Sequence, residues 1–512
     1  MTGAKITVKC LLEAGVRDIF GYPGASLLSL MQAIGEEKKL NLYINAHEQF
    51  SAFAADGYAR ASGKVGVCIA TSGPGATNLV TGIANAYMDS VPLVAVTGNV
   101  PLELLGTDAF QEVDIAGVTM PITKHNFIVK SVDSLASTLR AAFEIAQSGR
   151  KGPVLVDIPC NIFDETAKFP PVQNISRSSN NNPAIDFGPV SGLINSSLSP
   201  VICVGGGVIA SGASDEVKEL ADKLCCPVVS TAMGIGAFDG TDPRCRGIVG
   251  MNTSGEADKI LDGSDLLIAI GVRFSERMLC ALRGRPGLKA VHIDIDPAEI
   301  DKNLSPFGAL VGDAKEVLSQ LNVHIDQRVS SAARCENVSE DPGIFGVLNE
   351  VFPDAIFTTE VGLHQTEACR KLKIKRPRGF ITAGGLGAMG FGLPAAFGAA
   401  VANPGKKVIN IAGDGSFGMN MPELATAVKY GVPLVQLVMN NRSLGMIEML
   451  QKNRSENVKY CDLPQVDYKS LAKAFGAEYY SASDADSLRD SLIKAKKSGS
   501  VVLIENIMQE LI

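Results

Sequence analysis

The stretch KVINIAGDGS, residues 407–416, decides the fold of this chain. It is an apolar run that ends in a Gly-Asp-Gly turn, and a second apolar run, PLVQLVMNN at 433–441, ends in two asparagines. Continuous runs of Val, Ile and Leu are typical of buried parallel strands with helices between them. Glycines at the end of such a strand let backbone N–H groups approach a phosphate closely. The stretch therefore predicts a strand–helix–strand unit with a phosphate site at its carboxyl edge.

The spacing of the two strand ends also predicts a metal site. Asn440 follows Gly415 after 24 intervening residues, which is the length of a helical connection between neighbouring parallel strands. A carboxylate and an amide carbonyl are hard oxygen ligands of the kind Mg²⁺ prefers, usually together with phosphates. Gly-Asp-Gly alone occurs in many turns, but the combined pattern predicts a Mg²⁺ site at Asp414 and Asn441.

Apolar runs of the same kind recur along the whole chain and predict an α/β fold of three doubly wound parallel-sheet domains. They lie at 65–71, 92–98, 153–159, 200–207, 266–272 and 500–506. A length of 512 residues fits about three domains. The predicted domains are 1–165, 185–325 and 340–512, and two polar stretches, 173–184 and 326–343, are the predicted linkers.

The first and last segments share a pattern that indicates a distant repeat. Ser72-Gly-Pro-Gly precedes the string Val91-Pro-Leu-Val by the same 19 positions that separate Gly413-Asp-Gly from Val432-Pro-Leu-Val. Two related domains around a middle one would produce this pattern, and so would chance recurrence of a common buried-strand string.

Composition excludes several classes of protein. Hydrophobic residues make up 46% and charged residues 20%, and the net charge of −7 argues against a nucleic-acid binder. The sequence contains no stretch of about 18 uncharged apolar residues, so it predicts no membrane span. Eleven scattered cysteines, without a CxxC pair or an N-terminal signal-peptide pattern, predict reduced thiols and a cytoplasmic protein. The five histidines show no zinc-ligand spacing.

The spacing of Gly-Asp-Gly and Asn-Asn resembles the motif that binds thiamine diphosphate (ThDP), and longer strings resemble the catalytic subunit of acetolactate synthase (acetohydroxyacid synthase). They cover all three segments in the family's order. The resembling strings are GYPG at 21–24, HEQFSAFAADGYARASGKVGV at 47–67, ATSGPGATNLVTGIANAYMDSVPLVAVTG at 70–98, GTDAFQEVDIAGVTMPITKHNF at 106–127, GVRF at 271–274, HIDIDPAEIDKN at 292–303, ITAGGLGAMGFGLPAA at 381–396 and AGDGSFGMNMPELATAVKYGVPL at 412–434.

The resemblance implies a catalytic centre built around Glu48. In the family, this glutamate hydrogen-bonds N1′ of the ThDP pyrimidine and promotes loss of the proton from C2, which prepares attack on a 2-oxo acid. Without the resemblance, a Glu after a His reads as a solvated surface acid. Phe110 and Gln111 match residues that line the family's reaction centre.

The resemblance also implies the cofactor-binding residues. Met389 matches the apolar residue wedged between the cofactor's two rings, and the carbonyl of Gly387 would accept the pyrimidine amine. Ser443 would offer its backbone carbonyl to Mg²⁺ beside Asp414 and Asn441. The remaining matches, in the diphosphate loops and beside them, are Gly362, His364, Gln365, Gly413, Gly415, Ser416 and Met446.

The middle segment resembles the family's flavin-binding domain through Gly205–Gly207, Asp294 and Asp296. Gly-rich turns after strands are common in doubly wound folds, so FAD is left open as a further cofactor. Arg273 matches an arginine near the substrate entrance, and an arginine after a strand is otherwise a solvated ion pair.

The chain departs from the family at several positions. The family's synthetic members carry a Trp after Asn-Asn that selects the larger acceptor, whereas this chain has no Trp and reads Leu450 there. Ala25, Cys160 and Asn252 stand where the family has Gly, Lys and His. The sequence ends at Ile512, soon after the last apolar run, where the family continues into a C-terminal arm. These differences concern the acceptor pocket and the lid rather than the cofactor motifs.

Three functions follow as hypotheses. The first is acetolactate synthase in branched-chain amino acid biosynthesis, which decarboxylates pyruvate and joins the two-carbon unit to a second 2-oxo acid. The second is a related ThDP-dependent decarboxylase or carboligase with another donor or acceptor. The third is a catalytically inactive copy that regulates a true synthase, against which the retention of Glu48, Asp414 and Asn441 argues. The resemblance further implies a homodimer or homotetramer and leaves a regulatory small subunit open.

Overall fold

The computed structural model describes residues 1–171, 185–250, 253–328, 343–455 and 457–507. These ranges contain three six-stranded sheets with flanking helices, which confirms the predicted α/β fold class. The predicted linker at 173–184, most of the one at 326–343, Asn252 and Ile512 lie outside the described residues. The three predicted domains each contain one sheet, while their borders stay a prediction.

The N-terminal sheet has the strand order β2-β1-β3-β4-β6-β5, with parallel pairing throughout. Its strands are β1 Asp18–Gly21, β2 Asn41–Ile44, β3 Gly66–Ala70, β4 Leu93–Asn99, β5 His125–Ile128 and β6 Pro153–Pro159. Its helices are α1 Gly3–Glu13, α2 Leu28–Glu36, α3 Glu48–Ser62, α4 Pro74–Asn78, α5 Val80–Met88, α6 Ile115–Thr119, α7 Val132–Gln147 and α8 Cys160–Asp164.

The middle sheet has the strand order β12-β11-β10-β7-β8-β9, again parallel. Its strands are β7 Pro200–Val204, β8 Val228–Ser230, β9 Cys245–Ile248, β10 Leu266–Ile270, β11 Lys289–Asp294 and β12 Gly308–Val311. Its helices are α9 Gly188–Ser196, α10 Gly206–Ser211, α11 Ser214–Leu224, α12 Gly255–Asp262, α13 Glu276–Leu282 and α14 Ala314–Leu321.

The C-terminal sheet, β14-β13-β15-β16-β18-β17, repeats the strand order of the N-terminal sheet. The two Val-Pro-Leu-Val strings lead into β4 and β16, which occupy the same place in that order, as a distant repeat requires. Its strands are β13 Ile356–Thr359, β14 Phe380–Thr382, β15 Val408–Gly413, β16 Val435–Met439, β17 Glu478–Ala482 and β18 Val502–Asn506. Its helices are α15 Ile344–Val351, α16 Leu363–Lys371, α17 Gly392–Ala402, α18 Asp414–Asn420, α19 Glu423–Lys429, α20 Gly445–Asn453, α21 Tyr468–Phe475 and α22 Ala485–Lys497.

Two of the predicted strands end earlier than their apolar runs. β15 ends at Gly413 and α18 begins at once with Asp414, while β7 ends at Val204 and α10 begins at Gly206. The glycines in these turns carry no side chain to be accommodated, so strand and helix join within one or two residues. The functional turn at 413–415 is therefore the start of a helix at the carboxyl edge of the sheet.

Helices α3 and α17 join the N-terminal and C-terminal sheets through a close contact. A side chain on Gly57 would overlap the backbone of Ala395, and one on Gly398 would overlap the backbone of Ala54. Both helices are buried along most of their length, and α17 is apolar on all sides, as expected for a helix enclosed by protein. Among the described helices, none combines the length and apolar character that a membrane crossing requires.

Candidate active site

A cavity of about 190 Å³ lies at the carboxyl edge of the C-terminal sheet. The segments that follow β13, β15 and β16 meet there, beside the point where the chain's strand order reverses. Ligands bind at this place in open parallel sheets. Eleven of the residues predicted for the cofactor and the metal line it: Gly362, His364, Gly387, Met389, Gly413, Asp414, Gly415, Ser416, Asn441, Ser443 and Met446.

Asp414 is a buried residue whose carboxylate belongs to the lining of this cavity. One of its oxygens accepts from the N–H of Gly415 at 3.0 Å, and the other accepts from the N–H of Arg442 at 2.6 Å. Burial raises the pKa of Asp414 above its ordinary value, while these backbone hydrogen bonds lower it. A desolvated carboxylate held by backbone amides gains from a bound cation, so the donor set fits a divalent metal.

Asn441 and Ser443 lie across the cavity in the turn that follows β16. The Asn441 side-chain oxygen accepts from the Ser443 N–H at 3.2 Å, and the Ser443 hydroxyl donates to Glu448 at 2.6 Å. Arg442 between them has a φ of 57°, a strained left-handed conformation for a residue with a side chain. In this conformation the Arg442 N–H bonds Asp414, and both predicted oxygen donors line the same cavity.

The imidazole ring of His364 makes hydrogen bonds to the backbone of two other residues. Its Nε2 accepts from the N–H of Gly413 at 3.3 Å, and the ring also hydrogen-bonds the backbone of Glu360. Burial lowers the pKa of the imidazole to about 4, so the ring is neutral at pH 7. In this structure His364 ties the Gly-Asp-Gly turn to the end of β13.

The structure does not bring the Gln365 side chain to the cavity. Its amide donates to the Thr382 hydroxyl at 2.7 Å and to the Ala383 carbonyl at 3.2 Å. Successive residues of a helix point about 100° apart, because 3.6 residues make one turn. His364 and Gln365 therefore face different neighbours at the start of α16, and Gln365 braces the end of β14.

Glu48 begins α3 at the carboxyl edge of the N-terminal sheet. Its carboxylate accepts from the side-chain amide of Asn78 at 3.0 Å and lies beside Gly75, where a Cβ would come within 3.4 Å of it. The lining of the 190 Å³ cavity comes from residues between Val361 and Ile447 and does not include Glu48. Within one chain, the predicted proton-transfer residue and the predicted cofactor cavity are thus separate.

Phe110 and Gln111 lie in a loop above the same sheet edge as Glu48. The Phe110 side chain is 87% exposed, and Gln111 has a φ of 59°. The backbone of Gln111 rests on Gly73, where a Cβ would come within 2.8 Å of its carbonyl oxygen. Glu48 and Gln111 therefore both lie next to the Ser72–Gly75 turn, while Phe110 is exposed to solvent.

A larger groove of about 460 Å³ runs along the carboxyl edge of the middle sheet. Gly206, Gly207, Asp294 and Arg273 are among the residues that line it. The Arg273 guanidinium donates to the Met88 carbonyl at 2.6 Å, and burial lowers its pKa. Asp296 pairs with Arg150 at 3.4 Å.

Comparisons with known proteins place all three segments of the chain in one family of enzymes. Residues 1–118, 190–321 and 360–506 match the N-terminal, central and C-terminal domain models of thiamine pyrophosphate enzymes, thiamine pyrophosphate being the same molecule as ThDP. A probable acetolactate synthase large subunit of Methanocaldococcus jannaschii is 41% identical over 99% of this chain and 92% of that protein. The chain belongs to the acetolactate synthase family of thiamine pyrophosphate enzymes.

Other members of the family are similarly close. The acetolactate synthase large subunit of Parasynechococcus marenigrum is 39% identical over 99% of this chain and 87% of that protein. The isozyme 3 large subunit of Escherichia coli is 37% identical over 97% of this chain and 92% of that protein. The chain is a ThDP-dependent enzyme of this family, and of the three hypotheses the acetolactate synthase one is confirmed.

The segment that leads into Glu48, residues 44–46, is held by hydrogen bonds that the sequence did not predict. The buried carboxylate of Glu423 accepts from the Ala46 N–H at 2.6 Å and from the Asn45 side chain at 2.9 Å, and Tyr430 bonds the Ile44 N–H at 2.8 Å. Burial raises the pKa of Glu423 to about 7. Helix α19 and the residue that follows it thus hold the segment that leads into Glu48. Glu423 stands within a resembling string, but nothing local marks it as buried.

Proposed function

We propose that this ThDP-dependent acetolactate synthase also binds Mg²⁺, and that it decarboxylates pyruvate and joins the two-carbon unit to a second 2-oxo acid. One observation carries the proposal: a single cavity collects Asp414, Asn441, the glycine turn and Met389 at the carboxyl edge of the C-terminal sheet. A role in branched-chain amino acid biosynthesis follows from the same activity.

The roles proposed within the cavity follow from its donors. Asp414, the Asn441 side chain and the Ser443 carbonyl would hold Mg²⁺, and Gly413, Gly415 and Ser416 would surround the diphosphate. Bound ThDP supplies the electron sink for loss of CO₂ from the 2-oxo acid. Met389 offers the apolar surface between the two rings, and its Cε lies 4.0 Å from the Cβ position of Gly415. Glu48 would hold and move the proton at N1′.

The test is to incubate the purified protein with ThDP, Mg²⁺ and pyruvate and to measure acetoin after acidification. The expected result is acetoin that depends on both cofactors. Acetaldehyde without acetoin would contradict the joining of the two-carbon unit to a second 2-oxo acid, and absence of CO₂ release would contradict the decarboxylation of pyruvate.

A second copy of the chain is proposed to complete the site. Glu48 does not line the cavity of its own chain, so it would act on the cofactor held by a partner. Apolar side chains stay exposed near both halves of the site in a single chain, as expected of surfaces awaiting a partner. They are Leu104, Phe110, Val118 and Met120 on one side, and Leu386, Met419, Ile447 and Leu450 on the other.

A homodimer or homotetramer is therefore expected at assay concentration, because a monomer would keep Glu48 apart from the cavity. Analytical ultracentrifugation of the active enzyme measures this directly. Full activity in a monomeric species would contradict the shared site.

The acceptor is expected to be chosen with little discrimination. Leu450 on α20 is 46% exposed and offers less contact surface than the Trp of the family's synthetic members. A methylene-scale contact is worth roughly 1–3 kcal/mol, or about 10–200-fold in selectivity. A competition between equal pyruvate and 2-oxobutyrate should give similar amounts of the two acetohydroxy acids. Leu450→Trp is expected to favour 2-oxobutyrate by about 10-fold or more.

A strong excess of the 2-oxobutyrate product from the unmodified enzyme would show that another side chain sets the acceptor. Ala25, which is exposed at the start of the segment before α2, is the second position to exchange, since Ala25→Gly restores the residue of the family.

FAD is proposed for the large groove of the middle sheet. The strand order reverses between β7 and β10, and the turns after these strands approach so closely that a Cβ on Gly205 or Gly207 would overlap Gly271. A dinucleotide binds at such a crevice, with glycines that admit its diphosphate. The yellow colour and flavin absorbance of purified protein test this.

A separate small subunit, as the relatives' names suggest for those proteins, is an additional proposal.

A further inference from the structure

The loop that carries Gly387 and Met389 links the end of β14, at Thr382, to the start of α17, at Gly392. Its early residues Gly384 and Gly385 line the large groove, whereas Gly387 and Met389 line the small cavity. Residues 383–391 form neither helix nor strand, so side chains from elsewhere must fix their position. The geometry of the proposed cofactor wedge depends on what those side chains are.

Asp89 holds the first half of the loop. It follows α5 in the N-terminal sheet, and its side chain is fully buried. One carboxylate oxygen accepts from the Gly385 N–H at 2.7 Å, and the other accepts from the Gly384 N–H at 3.0 Å. A Cβ on Gly385 would come within 2.8 Å of that carboxylate, so this close approach requires glycine.

Arg60 fixes Asp89 in this position. Its guanidinium donates to Asp89 at 2.9 Å and to the Thr382 carbonyl at 3.0 Å, and it is also paired with the buried Asp56. The charge of Asp89 is therefore compensated, and the same arginine bonds the end of β14. Residues 382, 384 and 385 are all tied to the N-terminal sheet by this pair.

Glu360 holds the second half of the loop. Its fully buried carboxylate accepts from the Gly390 N–H at 2.9 Å and from the Leu393 N–H at 3.2 Å. Asn420 donates to the same carboxylate at 2.5 Å and to the Gly390 carbonyl at 3.1 Å. Gly387 and Met389, which line the small cavity, lie between these two anchors.

We propose that Asp89 and Glu360 are positioning residues that hold this loop at both ends, so that Gly387 and Met389 meet the cofactor in a fixed geometry. The inference rests on the proposed function, because it concerns the ThDP cavity. The Asp89 anchor comes from the N-terminal sheet of the same chain, so the packing of that sheet on the C-terminal one sets the shape of the cavity. Neither carboxylate lines that cavity, and both act through the backbone.

The test compares Asp89→Asn with Asp265→Asn as a matched control. Asp265 also accepts from two consecutive backbone N–H groups, of Leu198 at 2.7 Å and Ser199 at 3.0 Å, but in the middle sheet. Calorimetric titration of the apoprotein with ThDP and Mg²⁺ measures affinity. Asp89→Asn is expected to weaken it by about 10- to 100-fold, the usual scale for a lost hydrogen bond to a charged group. Asp265→Asn is expected to bind like the unmodified protein.

Glu360→Gln provides the second variant and should weaken ThDP binding in the same way. An unchanged affinity in both Asp89→Asn and Glu360→Gln, or an equal loss in Asp265→Asn, would overturn the proposal. If the unmodified protein itself binds no ThDP, the proposed function fails instead, so the two failures are distinguishable.

Hydrogen exchange of the unmodified apoprotein tests the anchor without a variant or a cofactor. Gly385 is exposed, and its N–H is bonded to Asp89. Its amide should exchange more slowly than that of the exposed turn residue Gly405, and Asp89→Asn should remove the difference. Exchange at Gly385 as fast as at Gly405 in the unmodified protein would refute the anchor.

Discussion

Glu48→Gln is expected to lower turnover by more than about 10²-fold while the protein still binds ThDP and Mg²⁺. Glutamine keeps the size of the side chain and one acceptor oxygen, but it cannot take or release a proton. Asn78 bonds the present carboxylate at 3.0 Å and can donate to the glutamine oxygen as well, so the start of α3 should keep its structure. The cavity is formed by other residues, so cofactor affinity should change little.

The measurement is steady-state turnover of pyruvate together with a ThDP titration of the same preparation. Glu144→Gln, an exposed glutamate on α7, is the matched control and should behave like the unmodified enzyme. Turnover by Glu48→Gln within a few-fold of the unmodified enzyme would show that another group handles the proton. Loss of ThDP binding in this variant would instead indicate that Glu48 contributes to the binding of the cofactor.

The sequence was sufficient for the framework of the site because of one property of parallel sheets. Strands that run the same way end at the same edge, so the turns after two apolar runs must be neighbours. This property predicts that Asp414 and Asn441 lie together, and in the structure both line one cavity. Long apolar runs give the strands themselves, since few other structures bury such runs completely.

The sequence was insufficient where a side chain's neighbour comes from a distant segment. Asp89 follows a helix as many surface aspartates do, and its bonds to Gly384 and Gly385 reach across almost 300 positions. Glu423 reaches Ala46 over a longer span of 377 positions. At short range, the resemblance implies that Gln365 belongs to the diphosphate loop, while in the structure its side chain bonds Thr382; its role toward the diphosphate stays a prediction.

The single chain also limits what sequence alone could place. Phe110 is matched to the reaction centre by resemblance, yet it is exposed here, and Glu48 lies outside the cavity. Both residues belong to the edge of the N-terminal sheet, whose counterpart would be the cavity of another copy. Sequence motifs can predict which residues belong to a site shared by two copies, whereas the distances between those residues require the structure of the assembly.

Asp414→Ala is expected to abolish Mg²⁺-dependent binding of ThDP, with affinity lowered by at least about 10²-fold. Among the described residues that line the cavity, Asp414 alone carries a carboxylate. Removing it would leave the proposed Mg²⁺ with neutral oxygen donors and the diphosphate charge poorly compensated. The substitution also frees the N–H groups of Gly415 and Arg442, so the turn itself loosens.

Asp414→Asn separates these two effects, because asparagine keeps an acceptor for one of the amides but carries no charge. Titration of ThDP at several Mg²⁺ concentrations should show that the affinity of the unmodified protein rises with Mg²⁺. The rise should be weak in Asp414→Asn and absent in Asp414→Ala. Asp484→Ala, which removes a carboxylate that caps α22 through the Ser487 N–H, controls for a lost aspartate elsewhere in the same sheet's domain. If Asp414→Ala kept the Mg²⁺-dependent affinity of the unmodified protein, the Gly-Asp-Gly turn would not be the metal site, and its spacing from Asn440-Asn441 would reflect packing alone.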